Sequence, residues 1–390
     1  MNELMRRLEV APENRGLLAT MYFAFFTNGM MTVILGALLP ALQADYGLNY
    51  AQSGLLLSAN QAGNILAVLL AGALPYLLGR KKTTLIMVSG VAIGMLCITL
   101  TGNVVVLLLA FIVTGLSRGT VSNIANVTIA TVSGNKISAL NILHAVFAVG
   151  ALLGPVIMYV CQQGLALSWK SASLVVAALG LAMWVLMAFS KLDNTPMKRG
   201  AKGETKFLKM PAFWLNTAVL FFYICAETSI IGWFVSYVQD AGILPANVAQ
   251  FTSTIVWLMI LVGRLVCGTL LSNFNKPILL LFLGLAFTGF FAGMLVSGTN
   301  VMSIICLGGI GFSMAGIYPT TMASMPGTSS AVTIGLSIGV ASIGGIIMPS
   351  IVGSVADSIG LAGGISTVMV ALGFMLLLML AKVIWAKKIG

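Results

Sequence analysis

From end to end, the chain alternates long apolar runs with short polar breaks. Twelve runs stand out, near 16–42, 51–78, 83–102, 104–132, 137–162, 169–190, 211–239, 246–271, 277–298, 301–325, 329–353 and 362–385. Each is long enough to cross a bilayer, which takes about 20 mostly apolar residues. In lipid a span must satisfy its own backbone hydrogen bonds, so the runs predict helices. The expected fold class is an all-α polytopic membrane protein of twelve transmembrane helices. A basic stretch divides the runs six and six, giving an N-terminal six-helix bundle at 1–190, a cytoplasmic linker at 191–210 and a C-terminal six-helix bundle at 211–390.

Composition agrees: 59% of the 390 residues are hydrophobic and 7% charged, which excludes a soluble chain. The net charge of +11 would suggest nucleic acid in a soluble protein, but its distribution says otherwise. With the N-terminus inside, the inner segments hold Arg6, Arg7, Arg15, Arg80, Lys81, Lys82, Lys136, the linker cations, Lys276, Lys382, Lys387 and Lys388; the outer loops hold Lys170 with Asp45, Asp240 and Asp357. Lys and Arg in short inner loops set topology. Both termini are therefore expected in the cytoplasm, the basic residues against lipid headgroups, and no nucleic acid as partner. No cleavable signal is apparent, so a bacterial-type inner membrane is the expected location. The five cysteines are scattered through apolar runs without metal-ligand spacing, so neither metal nor cofactor is expected. A monomer is expected.

Two markers recur. Gly72-Ala-Leu-Pro-Tyr76-Leu-Leu-Gly79-Arg80 follows span 2, and Gly268-Thr-Leu-Leu-Ser272-Asn-Phe-Asn275-Lys276 follows span 8. Pro155 in span 5 is matched by Pro349 in span 11; the offsets are 268 − 72 = 196 and 349 − 155 = 194. Nearly equal offsets imply a duplication of six-helix units, the plan of transporters whose site lies at the repeat interface.

With these features the whole chain resembles the major facilitator superfamily, although Tyr76 stands where that loop usually has an aspartate. Two stretches, Asn141-Ile-Leu-His144-Ala-Val-Phe147-Ala-Val-Gly150-Ala-Leu-Leu-Gly154-Pro155 and Tyr223-Ile-Cys-Ala-Glu227-Thr-Ser-Ile-Ile-Gly232-Trp233-Phe-Val-Ser-Tyr237, are similar to the fucose–galactose–glucose:proton symporter family. That resemblance implies inward symport of a monosaccharide with a proton. Members usually carry acids in spans 1 and 4, where this chain offers Asn28, Ser122, Asn123 and Asn126.

Ionisable residues inside a membrane are functional candidates by default. Glu227, the acid well inside a span, is the leading proton-coupling candidate; the alternative is a structural carboxyl locking its helix. Arg118 shares an i+4 stripe with Ser122 and Asn126. It is suited to clamp an anion, to fork to sugar hydroxyls or to neutralise Glu227. His144, the sole histidine, is a second coupling or substrate-contact candidate. Arg80, Lys81 and Arg264 are assigned to gating or anchoring, Arg264 by snorkelling. Asn28, Asn60, Gln61, Asn64, Asn126 and Asn141 offer amides, and Tyr223, Trp233 and Tyr237 an aromatic face for a sugar.

The expected function is a non-enzymatic secondary transporter, importing a small polar solute, most readily a monosaccharide, by alternating access with proton symport. The alternatives are an organic-anion carrier using Arg118 and a drug:proton exporter.

Overall fold

A computed structural model describes residues 6–71, 74–192, 206–245, 249–269, 271, 274–297, 299–325 and 331–389. Gly72, Ser272 and linker residues 193–205 lie outside the described residues. The secondary structure is helical, with an isolated bridge between Val10 and Ser133. The N-terminal helices are α1 (Arg15–Tyr46), α2 (Tyr50–Ala71), α3 (Arg80–Leu100), α4 (Val104–Val132), α5 (Lys136–Tyr159, extended by a π turn, Val160–Gly164) and α6 (Trp169–Phe189). The C-terminal ones are α7 (Pro211–Asp240), α8 (Phe251–Thr269), α9 (Lys276–Leu295) and α10 (Asn300–Ala323). A continuous helical stretch Ala331–Ser366 is broken at Ile359 and Gly360, which separates α11 (331–358) from α12 (361–389).

Helix ends follow from local chemistry. The Asn103 carboxamide accepts from the Val105 and Val106 amides to open α4, Ser168 opens α6, and Thr299 opens α10. Pro211 starts α7 at a position where its missing N–H has no helical partner. Gly47, left-handed at φ 63°, ends α1. Span 2 is described as helix to Ala71, and Pro75–Leu78 forms a short helix capped by Gly79. One boundary differs from expectation. Span 11 runs past 353, because the break is set by Gly360 at φ 82° rather than by a polar residue.

The chain divides into two compact units, one of 1–47 with 59–200 and one of 48–58 with 201–390. In the first, α1 packs on α4, α5 and α6, and α3 on α4 and α6. In the second, α7 packs on α10, α11 and α12, and α9 on α10 and α12. These are the same pairings shifted by six helices, the structural form of the repeat. Large apolar side chains also face outward, among them Leu69, Leu100, Phe282 and Leu377, each more than 60% exposed. Such a surface suits hydrocarbon, and buried polar side chains sit inside.

Lys382 departs from the sequence reading. Counted among the inner-loop charges, it is instead buried in α12, where its ammonium donates to Asn216 Oδ1 of α7 at 2.7 Å.

Candidate functional site

Polar side chains gather in one cluster in each unit. In the first, α2 and α4 cross at Gly63 and Gly115. A Cβ on Gly63 would meet the Ile112 carbonyl, and one on Gly115 the Asn60 carbonyl. Only hydrogen at both positions lets the backbones approach this closely. The approach brings Arg118 of α4 over the amides of α2: its guanidinium donates to Gln61 Oε1 at 2.6 Å and to Asn60 Oδ1 at 3.3 Å. Asn60 is itself fixed, its amide donating to Thr114 Oγ1 at 3.0 Å and to the Phe111 carbonyl at 3.3 Å. A half-buried guanidinium is thereby aimed by two nearly buried carboxamides.

One and two turns along α4 the predicted stripe continues. Asn28 of α1 donates to Ser122 Oγ at 3.1 Å, and Asn126 donates to the Ser122 carbonyl at 2.8 Å. Asn28 Oδ1 is buried without a hydrogen-bond partner among the described residues, an acceptor available to a donor from a solute. Asn64 is half-buried on α2, its Oδ1 beside Gly119. On α5, Asn141 and His144 are exposed, and the His144 ring meets Phe25 of α1 edge-on at 5.4 Å. Arg118, Asn60 and Gln61 thus form one hydrogen-bonded group between α2 and α4, and Asn28, Ser122 and Asn126 a second between α1 and α4, one to two turns further along the same stripe.

In the second unit the Tyr223 hydroxyl donates to Glu227 Oε1 at 2.8 Å and lies 3.3 Å from the Met314 carbonyl of α10. Tyr318 of α10 lies 6.3 Å from the Tyr223 ring, centre to centre, and Arg264 is an exposed side chain of α8. Glu227, Tyr223 and Tyr318 therefore form one group drawn from α7 and α10. Tyr318 is not among the candidates drawn from the sequence; an aromatic hydroxyl within an apolar run was the signal available.

The other two aromatic candidates are packed. Trp233 is fully buried, its indole donating to the Pro349 carbonyl at 3.2 Å, and Tyr237 is 3% exposed against Phe234. Neither ring offers a free face in this conformation. Of the loop cations, Lys81 donates to the Ser190 carbonyl just past α6 at 2.8 Å, a cation placed where helix carbonyls end. Among the described residues no group of three His, Cys, Asp or Glu side chains has the arrangement of a metal site.

Comparisons with known proteins bear on this arrangement. A sequence profile of the Major Facilitator Superfamily matches residues 21–331. A gallate transporter of Pseudomonas putida is 27% identical over 175 residues, 44% of this chain and 38% of that protein. The chain thus spans well under half the length of that relative. Solved structures with the same fold include a nucleoside transporter, with a TM-score of 0.77 at 13% identity covering 94% of this chain and 98% of that one. They also include a D-xylose–proton symporter, with a TM-score of 0.75 at 11% identity covering 94% and 97%.

Proposed function

Because the chain belongs to the major facilitator superfamily, and is thus a membrane transporter rather than an enzyme, we propose that it imports a monosaccharide together with a proton by alternating access. The observation that carries this reading is the guanidinium of Arg118 held by Asn60 and Gln61. A sugar hydroxyl both donates and accepts, and a lining of carboxamides with an oriented guanidinium matches it on both counts. Tyr223 and Glu227 supply a second polar group, and a carboxylate carried within a membrane span is suited to take up and release a proton. The excess of Lys and Arg in the loops read as inner supports an orientation with both termini in the cytoplasm, in a bacterial-type inner membrane.

A second reading is favoured by two observations. Away from the helix ends the spans carry Arg118, Arg264 and the buried Lys382 against the acid Glu227, and the Pseudomonas putida relative is a gallate transporter. On this reading the solute is a small carboxylate, and the guanidinium of Arg118 pairs with it in the two-pronged manner that arginine favours. Proteoliposome uptake separates the two. Saturable hexose uptake with counterflow, not competed by aromatic or sugar acids, supports the monosaccharide; uptake confined to the acids supports the carboxylate and refutes the sugar.

A further inference from the structure

The first residues of α2 belong to the same compact unit as α7 and α11, whereas from Ala59 the helix belongs to the other unit. What holds them there is not what starts the helix. Asn49 and Gln52 already form a reciprocal cap: the Gln52 amide donates to Asn49 Oδ1 at 2.8 Å, and the Asn49 amide to Gln52 Oε1 at 3.1 Å. Yet Asp357 of α11, 307 positions along the chain from Tyr50, adds a further cap. The Tyr50 amide donates to its Oδ1 at 2.8 Å, and the Ala51 amide to its Oδ2 at 3.1 Å. Asp240, the last residue of α7, accepts from the Tyr50 hydroxyl at 3.1 Å.

Both aspartates sit at the C-terminal ends of their helices, where the dipole disfavours an anion. Each is locally misplaced and gains by facing the α2 N-terminus. Beneath them the contact is close. A Cβ on Gly54 would strike the Pro349 backbone and one on Gly353 the Tyr50 carbonyl, while Ser58 Oγ lies 2.7 Å from Ser350 Oγ. We propose that Asp357 is a latch residue of the transport cycle: its carboxylate docks the start of α2 on α11 and closes the outer face, and each cycle breaks that dock. The side chains of Asp240 and Asp357 are exposed, so water replaces the lost bonds and the contact is reversible, while the local cap keeps α2 folded after release. The inference rests on the orientation proposed above.

The test uses the full chain with its five cysteines replaced and one cysteine introduced as Ser58→Cys, which lies under the latch and is 3% exposed. Labelling by a membrane-impermeant maleimide is timed in right-side-out and inverted vesicles. Asp357→Ala and the isosteric Asp357→Asn, each checked by size exclusion, are expected to speed outer-face labelling about tenfold, the scale of a lost charge-assisted hydrogen bond. Asn49→Ala, which removes only the local cap, leaves the rate near that of the parent. Acceleration confined to inverted vesicles supports the latch and reverses the orientation. Unchanged labelling of both folded Asp357 variants on both faces overturns the latch.

Discussion

Arg118 on α4 donates to Gln61 on α2 at 2.6 Å, a bond between helices that cross where Gly63 and Gly115 leave no side chain in the way. The amide oxygen holds the guanidinium plane in a set direction before any solute arrives. Such pre-organisation reduces the ordering cost of binding.

Arg118→Lys keeps the charge and loses the fork. Solute affinity is expected to fall about tenfold to a hundredfold, the range for hydrogen bonds to a charged group. Gln61→Ala should weaken binding less, and the double variant should fall short of the sum, since the two side chains act together. Equilibrium binding to the detergent-purified protein measures all three.

Gly115→Ala places a methyl against the Asn60 carbonyl, a backbone atom that cannot rotate aside. Overpacking of this kind costs about 1–3 kcal/mol. The thermal midpoint followed by size exclusion should drop by several degrees, and binding should weaken because Asn60 and Gln61 shift relative to Arg118. Gly289→Ala, with open space around its position, serves as the control and should change neither.

The buried Lys382–Asn216 pair predicts an asymmetry. Asn216→Ala leaves the ammonium without its acceptor and should destabilise by about 1–3 kcal/mol. Lys382→Met removes the charge while filling a similar volume, and should be neutral or stabilising. Thermal unfolding of the two single variants tests the order.

Tyr223→Phe removes the hydroxyl that donates to Glu227 and leaves the ring in place. Counterflow exchange, which moves solute without net proton movement, should persist, whereas accumulation against a gradient should decline. Equal loss in both assays would assign Tyr223 to solute binding alone.

Much of this architecture is legible in the chain because hydrocarbon demands long apolar runs, and these mark the spans. The stripe Arg118, Ser122, Asn126 could be read from i+4 spacing alone. Its partners on α2 could not, since the register of α2 on α4 is set by Gly63 and Gly115, two glycines among 43. The α11–α12 break escaped for a related reason: a glycine at positive φ makes it, and the residues around it are as apolar as a span. Tyr318 joins Tyr223 only through the packing of α10 on α7. Trp233 and Tyr237, one turn apart, read as a stacking face, but the same turn packs on Pro349 and Phe234. Lys382 read as an inner-loop charge because nothing in its neighbourhood of the sequence discloses Asn216, 166 positions away.

In the proposed symport, Glu227 carries the proton that accompanies the solute. Proteoliposomes enclosing a pH-sensitive dye, given an inward solute gradient, compare the parent protein with Glu227→Gln. Hexose is expected to acidify the lumen in the parent, and the variant to bind and exchange hexose without acidification. Solute entry with the same pH record in both proteins would contradict that role and leave Glu227 a structural carboxyl.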